Sequence, residues 1–255
     1  MAACEIVDEA VRIVDMATDQ GFPIRIMGAC AVRLCCPSAV SFHERMNREL
    51  SDLDFMAYQK HSGAIEKMLT SLGYSQDRRI IAFHEAQRNF YIHKEKDLKA
   101  DVFFDKLRMC HEIDFKGRLE LEYPTITVSD LLLEKFQIVK ITAKDIKDLI
   151  ILFKDQEIGE SEGRLINAKH ISKRLSNDWG FYYTATTNLL KIKDFCDKFD
   201  VISEGERQEI CRKIESLITT IDNEPKTLSW KLRAKMGTRM KWYNEVEELV
   251  RYVQD

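Results

Sequence analysis

Apolar positions in the first half of the chain switch between helical and strand spacing. Ile6, Val7, Ala10, Val11, Val14 and Ala17 recur three and four apart over residues 3–19, the stripe of an amphipathic helix. Gly21-Phe22-Pro23 ends it, and Ile24 to Met27 reads as a short buried strand. Gly28 opens a second helix through Ala31, Val32 and Leu34, and residues 37–47 read as an irregular insert. Alternation returns from Ser51 to Ala57 and predicts a strand. Ile65 to Leu72 predicts a helix stopped by Gly73. Arg79 to Phe83 and Asn89 to His93 read as a hairpin, Lys94 to Asp97 as a charged turn, and Leu98 to Phe104 as a further strand. Strands mixed with helices in this order predict an α/β (α+β) domain.

The pattern changes near Tyr123-Pro124. Ser129-Asp130 gives a helix N-cap signal, and helical spacing then dominates to the C-terminus. Candidate helices cover 129–141, 143–155, 163–175, 180–199, 204–222 and 242–253. The expected organisation is one α/β domain over residues 1–125 and an all-helical domain over 126–255.

Composition narrows the class. The chain has 255 residues, 45% hydrophobic and 32% charged, which suits a water-soluble globular protein. A net charge of −3 gives no global nucleic-acid footprint, so any basic site is local. Seven cysteines lie scattered with no Cys-x-x-Cys, against a disulfide framework or a zinc knuckle. Reduced thiols fit a cytoplasmic protein. The N-terminus is acidic and helix-patterned rather than signal-like, and runs such as Leu149 to Phe153 are too short to span a bilayer.

The chemistry centres on Asp52-Leu53-Asp54. In a strand, Asp52 and Asp54 share one face and Leu53 and Phe55 the other. Paired carboxylates are costly unless a positive charge sits between them, and a divalent cation is the usual answer. The alternative is an acidic fringe on a half-exposed strand. Upstream, Met27-Gly28-Ala29 runs from strand into helix, where backbone N–H groups can hold phosphate and Gly allows close approach. Downstream, Asp101 interrupts the apolar strand Ala100 to Phe104 and needs a partner: a third place in a metal site, or a salt bridge to Lys99 or a neighbouring strand. Asp145 and Asp148 lie three apart on a helix; alone they read as a solvated charged face.

Together these residues resemble the nucleotidyltransferase superfamily, whose fold is shared with DNA polymerase beta. The matching pattern is the turn Met27-Gly28-Ala29, the strand Asp52-Leu53-Asp54 and the later acid Asp101. Arg48 and Ser51, and the segment Asp130 to Asp148 with Glu134-Lys135, resemble the abortive-infection and toxin–antitoxin branch. The resemblance covers roughly the first 150 residues. Ala29 departs from the Ser or Gly expected there and lacks the hydroxyl.

The resemblance implies Asp52, Asp54 and Asp101 as catalytic residues and ligands of two Mg2+ ions about 3.5–4 Å apart. It implies Gly28, Ala29, Arg48, Ser51 and Lys135 as residues binding a nucleoside triphosphate such as ATP. The implied reaction transfers a nucleoside monophosphate to a hydroxyl and releases pyrophosphate. A toxin role with a neutralising antitoxin would be inherited from the branch alone.

An acceptor surface is suggested separately. Trp230, Lys231, Arg233, Lys235 and Arg239 interleave cations with an aromatic ring and no acid. Such a run can track a phosphate backbone, which makes RNA or tRNA one expected acceptor; a basic helix packed by its Trp is the other reading. Two rivals stand beside the RNA acceptor: transfer to a small molecule (aminoglycoside-like) or a protein side chain, and a non-catalytic protein that binds a nucleotide or partner on the same fold.

Overall fold

The computed structural model describes residues 3–77 and 88–246. By internal contacts the chain forms two compact units. One comprises residues 1–31, 49–126 and 244–255, the other 32–48 and 127–243.

In the first unit the expected periodicities become elements. Helix α1 (Ala3–Asp19) buries Ile6, Ala10, Ile13, Val14 and Ala17. Strand β1 (Ile24–Met27) leads directly into α2 (Gly28–Cys35), within which the unit boundary falls. Strand β2 (Asp52–Ala57), helix α4 (Ser62–Ser71) and strands β3 (Ser75–Gln76), β4 (Arg88–His93) and β5 (Leu98–Phe104) follow, with α3 (Val40–Arg45) lying between α2 and β2 in sequence. The strands form one five-stranded sheet in the order β1-β2-β5-β4-β3. β2 and β5 are parallel; the other pairs are antiparallel. The sheet is therefore mixed.

One sheet face is the core. Leu53, Phe55, Ala100, Val102 and Tyr91 are fully buried, and α1 packs on β1 and β2. The opposite face carries Asp52, Asp54, Lys99 and Asp101. β6 (Lys106–Arg108) and β7 (Glu112–Asp114) form a small hairpin after β5. Backbone bonds from Ile26 N–H to Pro124 and from Ile126 N–H to Ile26 carry the chain back beside β1.

The second unit is mostly helical. Its longer elements are α5 (Val128–Phe136), α6 (Ala143–Asp155), α7 (Ala168–Leu175), α8 (Trp179–Lys198), α9 (Glu204–Asn223) and α10 (Leu228–Met236). A two-stranded parallel pair, β8 (Glu157–Gly159) with β9 (Leu165–Asn167), lies between α6 and α7. Apolar faces of α6, α8 and α9 pack together through residues such as Leu149, Phe153, Leu189, Ile192, Ile214 and Leu217.

Several expectations need correction. Residues 37–47 are not irregular: they hold a 3-10 turn (Pro37–Ala39) and α3, too short to display a period. The cap of α5 is Thr127, whose Oγ1 accepts from the Asp130 N–H at 3.2 Å; Asp130 is three residues into the motif. The helix expected over 163–175 begins only at Ala168, after β9. Helix α10 agrees with the basic-helix reading of the run around Trp230, as far as Met236, and residues 242–246 are not helical. The strand read at Arg79 to Phe83, and residues 247–253 of the last helix, lie outside the described residues.

Candidate active site

Sheet register puts the carboxylates together. Asp54 on β2 lies directly opposite Asp101 on the parallel strand β5, so both side chains leave the same face. Asp52 lies opposite Lys99 on that face, and both are exposed. On the other side Asp54 is paired with Met27, the last residue of β1. The next residue, Gly28, therefore starts α2 against the Asp54 carboxylate.

Gly28 is required there for two reasons. Its φ of +65° lies in the left-handed region that favours glycine. A Cβ built at position 28 would collide with Asp54 Oδ2 and approach its Cγ at 3.1 Å and its Cβ at 3.2 Å. The main chain thus passes the acid at a distance no other residue type permits. Ala29 follows in the first turn of α2, half-buried, and that turn holds no acidic side chain. Its N–H groups present partial positive charge beside the carboxylates.

Arg88 was not foreseen. It begins β4 and grips Asp101 with both arms: Nε donates to Oδ1 at 2.6 Å and Nη2 donates to Oδ2. Its guanidinium carbon lies 4.8 Å from the centre of the Phe103 ring. Burial works against the Arg88 charge, but Asp101, with Asp54 and Asp52, raises its pKa above the ordinary value. The sequence did signal that Asp101 needs a partner; Arg88, on the neighbouring strand, is that partner.

Among the described residues no three His, Cys, Asp or Glu side chains converge closely enough to hold a metal ion. The expected closure of three carboxylates around Gly28 is thus not formed in this structure, because Asp101 is held by Arg88. The donor set itself is all oxygen, which suits a hard cation such as Mg2+. Asp52 and Asp54 leave the same strand face, and Ser51 Oγ donates to Asp52 Oδ1 at 2.9 Å. Asp101 supplies the same kind of donor, with both its oxygens accepting from Arg88.

Arg48 and Lys135 lie in the second unit, in a buried charge cluster. Arg48 donates from Nε and Nη2 to Asp148 at 2.7 and 2.9 Å. Lys135 Nζ lies 3.3 Å from Asp148, 3.4 Å from Asp145 and 3.8 Å from Glu134. Asp148 is fully buried, so the solvated-face reading of Asp145 and Asp148 fails for Asp148. Asp145 closes a capping box with Thr142; burial opposes its charge, but Lys135 and Thr142 lower its pKa overall.

The basic run also sorts into two classes. Arg233 donates to the carbonyls of Gly237 at 2.8 Å and Met240 at 2.9 Å and lies 4.8 Å from the Trp179 ring centre. Trp230 packs edge-on against Tyr182. These two hold the end of α10 in place. Lys231, Lys235 and Arg239 are exposed.

No protein family profile matches the chain, and no curated protein matches it. Among solved structures, the chain is similar to the solution structure of the antibiotic-resistance factor ANT(2'')-Ia. The TM-score is 0.43 at 14% identity, over 69% of this chain and 96% of that one.

Proposed function

We propose that the chain is a magnesium-dependent nucleotidyltransferase that moves a nucleoside monophosphate from a triphosphate to a hydroxyl acceptor and releases pyrophosphate. The observation that carries this reading is the in-register pair Asp54–Asp101 beside Gly28. Two acids share one face of a parallel strand pair, and a glycine-led helix start closes against one of them.

The roles follow from position. Asp52 and Asp54 hold Mg2+, which when bound neutralises phosphate charge and lowers the pKa of an acceptor hydroxyl. The N–H groups at Gly28 and Ala29 receive phosphate oxygens. Asp101, once free of Arg88, accepts the proton of the attacking hydroxyl. The fixed separation of β2 from β5 orients acceptor and phosphate for in-line attack. Arg48 and Lys135 act in this reading by shaping the buried charge cluster around Asp148 rather than as loose surface cations.

For the acceptor, the exposed Lys231 and Lys235, one helical turn apart on α10, and Arg239 just beyond its end favour RNA, since spaced cations suit a phosphate backbone. A small molecule and a protein side chain are the competing classes. Labelled nucleoside triphosphates offered with total RNA, with a small-molecule extract and with added protein separate the three. The proposal expects label on RNA; label on small molecules or on added protein alone moves the acceptor to a competing class, and no label on any of the three removes the enzymatic reading.

A further inference from the structure

We propose that Arg88 is a phosphate-binding residue parked on Asp101, and that a divalent cation and Arg88 compete for that carboxylate. The phosphate half rests on the nucleotidyl-transfer reading; the competition half does not.

The guanidinium holds both Asp101 oxygens, so a cation approaching Asp101 meets a positive charge already seated there and one lone pair of each oxygen engaged. The pair is shielded, with Arg88 18% exposed and Asp101 12%, so bulk water does not weaken it as it does a surface pair. The Arg88 strand position keeps it on the carboxylate face. Arg88 pairs in register with Phe103, and Asp101 is two residues back on the same strand face. The Phe103 ring under the guanidinium supports it whether or not it holds Asp101. Arg fits a phosphate with the same planar fork that it offers a carboxylate. A triphosphate delivered to Gly28 would thus give Arg88 a second anion while Asp101 takes the cation.

Removing Arg88 should therefore move two affinities in opposite directions. Without the guanidinium, Asp101 stands in register with Asp54 and lacks its bidentate cation, so a divalent cation is favoured there and metal binds tighter. Polyphosphate loses a ligand and binds weaker. A residue that merely braces the sheet would weaken both.

The test is calorimetric titration of the full chain with Mn2+ alone, then with inorganic tripolyphosphate at saturating Mn2+. Arg88→Gln should bind Mn2+ about tenfold or more tighter, because the positive charge competing for Asp101 is gone. It should bind tripolyphosphate about tenfold weaker. Should Arg88→Gln not fold by circular dichroism, Arg88→Lys, which keeps the charge without the fork, must show the same two signs at smaller size. Mn2+ binding that is unchanged or weaker overturns the competition, and unchanged tripolyphosphate binding overturns the phosphate role. If the wild type transfers no nucleotide yet the Mn2+ shift appears, the functional reading fails while the competition for Asp101 stands.

Discussion

The backbone at Gly28 passes so close to Asp54 that a single methyl group on residue 28 would strike the carboxylate. The acid and the helix start are thereby one structural unit. Gly28→Ala must both adopt φ of +65° and displace Asp54. It should lower stability by about 1–3 kcal/mol, measured by urea unfolding. It should cut nucleotide transfer by about a hundredfold, since a misplacement of about 1 Å costs that much. A variant with normal transfer would separate the turn from the chemistry.

The charge cluster on Asp148 predicts a different response. Asp148→Ala leaves Arg48 and Lys135 in a buried site without their main counter-charge. The expected loss is about 3–5 kcal/mol in chemical denaturation. The double variant Arg48→Met with Asp148→Leu should lose clearly less than the sum of the single changes, because Arg48 is no longer left without its partner and Lys135 keeps Asp145 and Glu134.

Acid stability should depend on Glu9. This residue is buried against Arg12 at 2.8 Å and Lys96 at 2.8 Å, and Tyr74 OH donates to it at 3.1 Å. Burial raises its pKa, but Arg12 and Lys96 outweigh burial and lower it from 4.5 to about 2. A lowered pKa means stability that is complete above the unfolded value of 4.5 and lost as pH falls toward about 2. Glu9→Gln should cost about 2–3 kcal/mol at pH 7, and the difference from wild type should shrink toward zero near pH 2. A pH-independent difference would contradict the ion-pair account.

On α10 and the turn after it, the two classes of cation should behave differently. Changing Lys231, Lys235 and Arg239 together to Ala should leave the melting temperature nearly unchanged, because all three are exposed. It should reduce RNA affinity and flatten its salt dependence. Arg233→Ala should instead lower stability by about 1–2 kcal/mol through the lost carbonyl bonds to Gly237 and Met240.

Much of the first unit was legible because its periods are long and clean. Helix α1 matches its apolar stripe end to end, and the alternation of Asp52, Leu53, Asp54 and Phe55 placed acids and core on opposite faces. What was not legible depends on distance or register. Arg48 and Asp148 are 100 residues apart, so nothing local marks Asp148 as buried. Arg88 meets Asp101 only once β4 and β5 are aligned. Helix α10 buries no residue, so no inward stripe fixed its bounds and only its basic run marked it. Residues 32–48 group with the C-terminal helices through contacts that no short window can contain.

The most direct measurement is transfer of labelled nucleotide by wild type and by Asp54→Asn, with folding of both confirmed by thermal melting. Asn keeps the shape of the side chain beside Gly28 while removing its charge. The account predicts Mg2+-dependent transfer by the wild type and loss of at least about a thousandfold in the variant, with little change in melting temperature. Transfer by Asp54→Asn at the wild-type rate, or none by the folded wild type with any nucleoside triphosphate and acceptor pool, would contradict it.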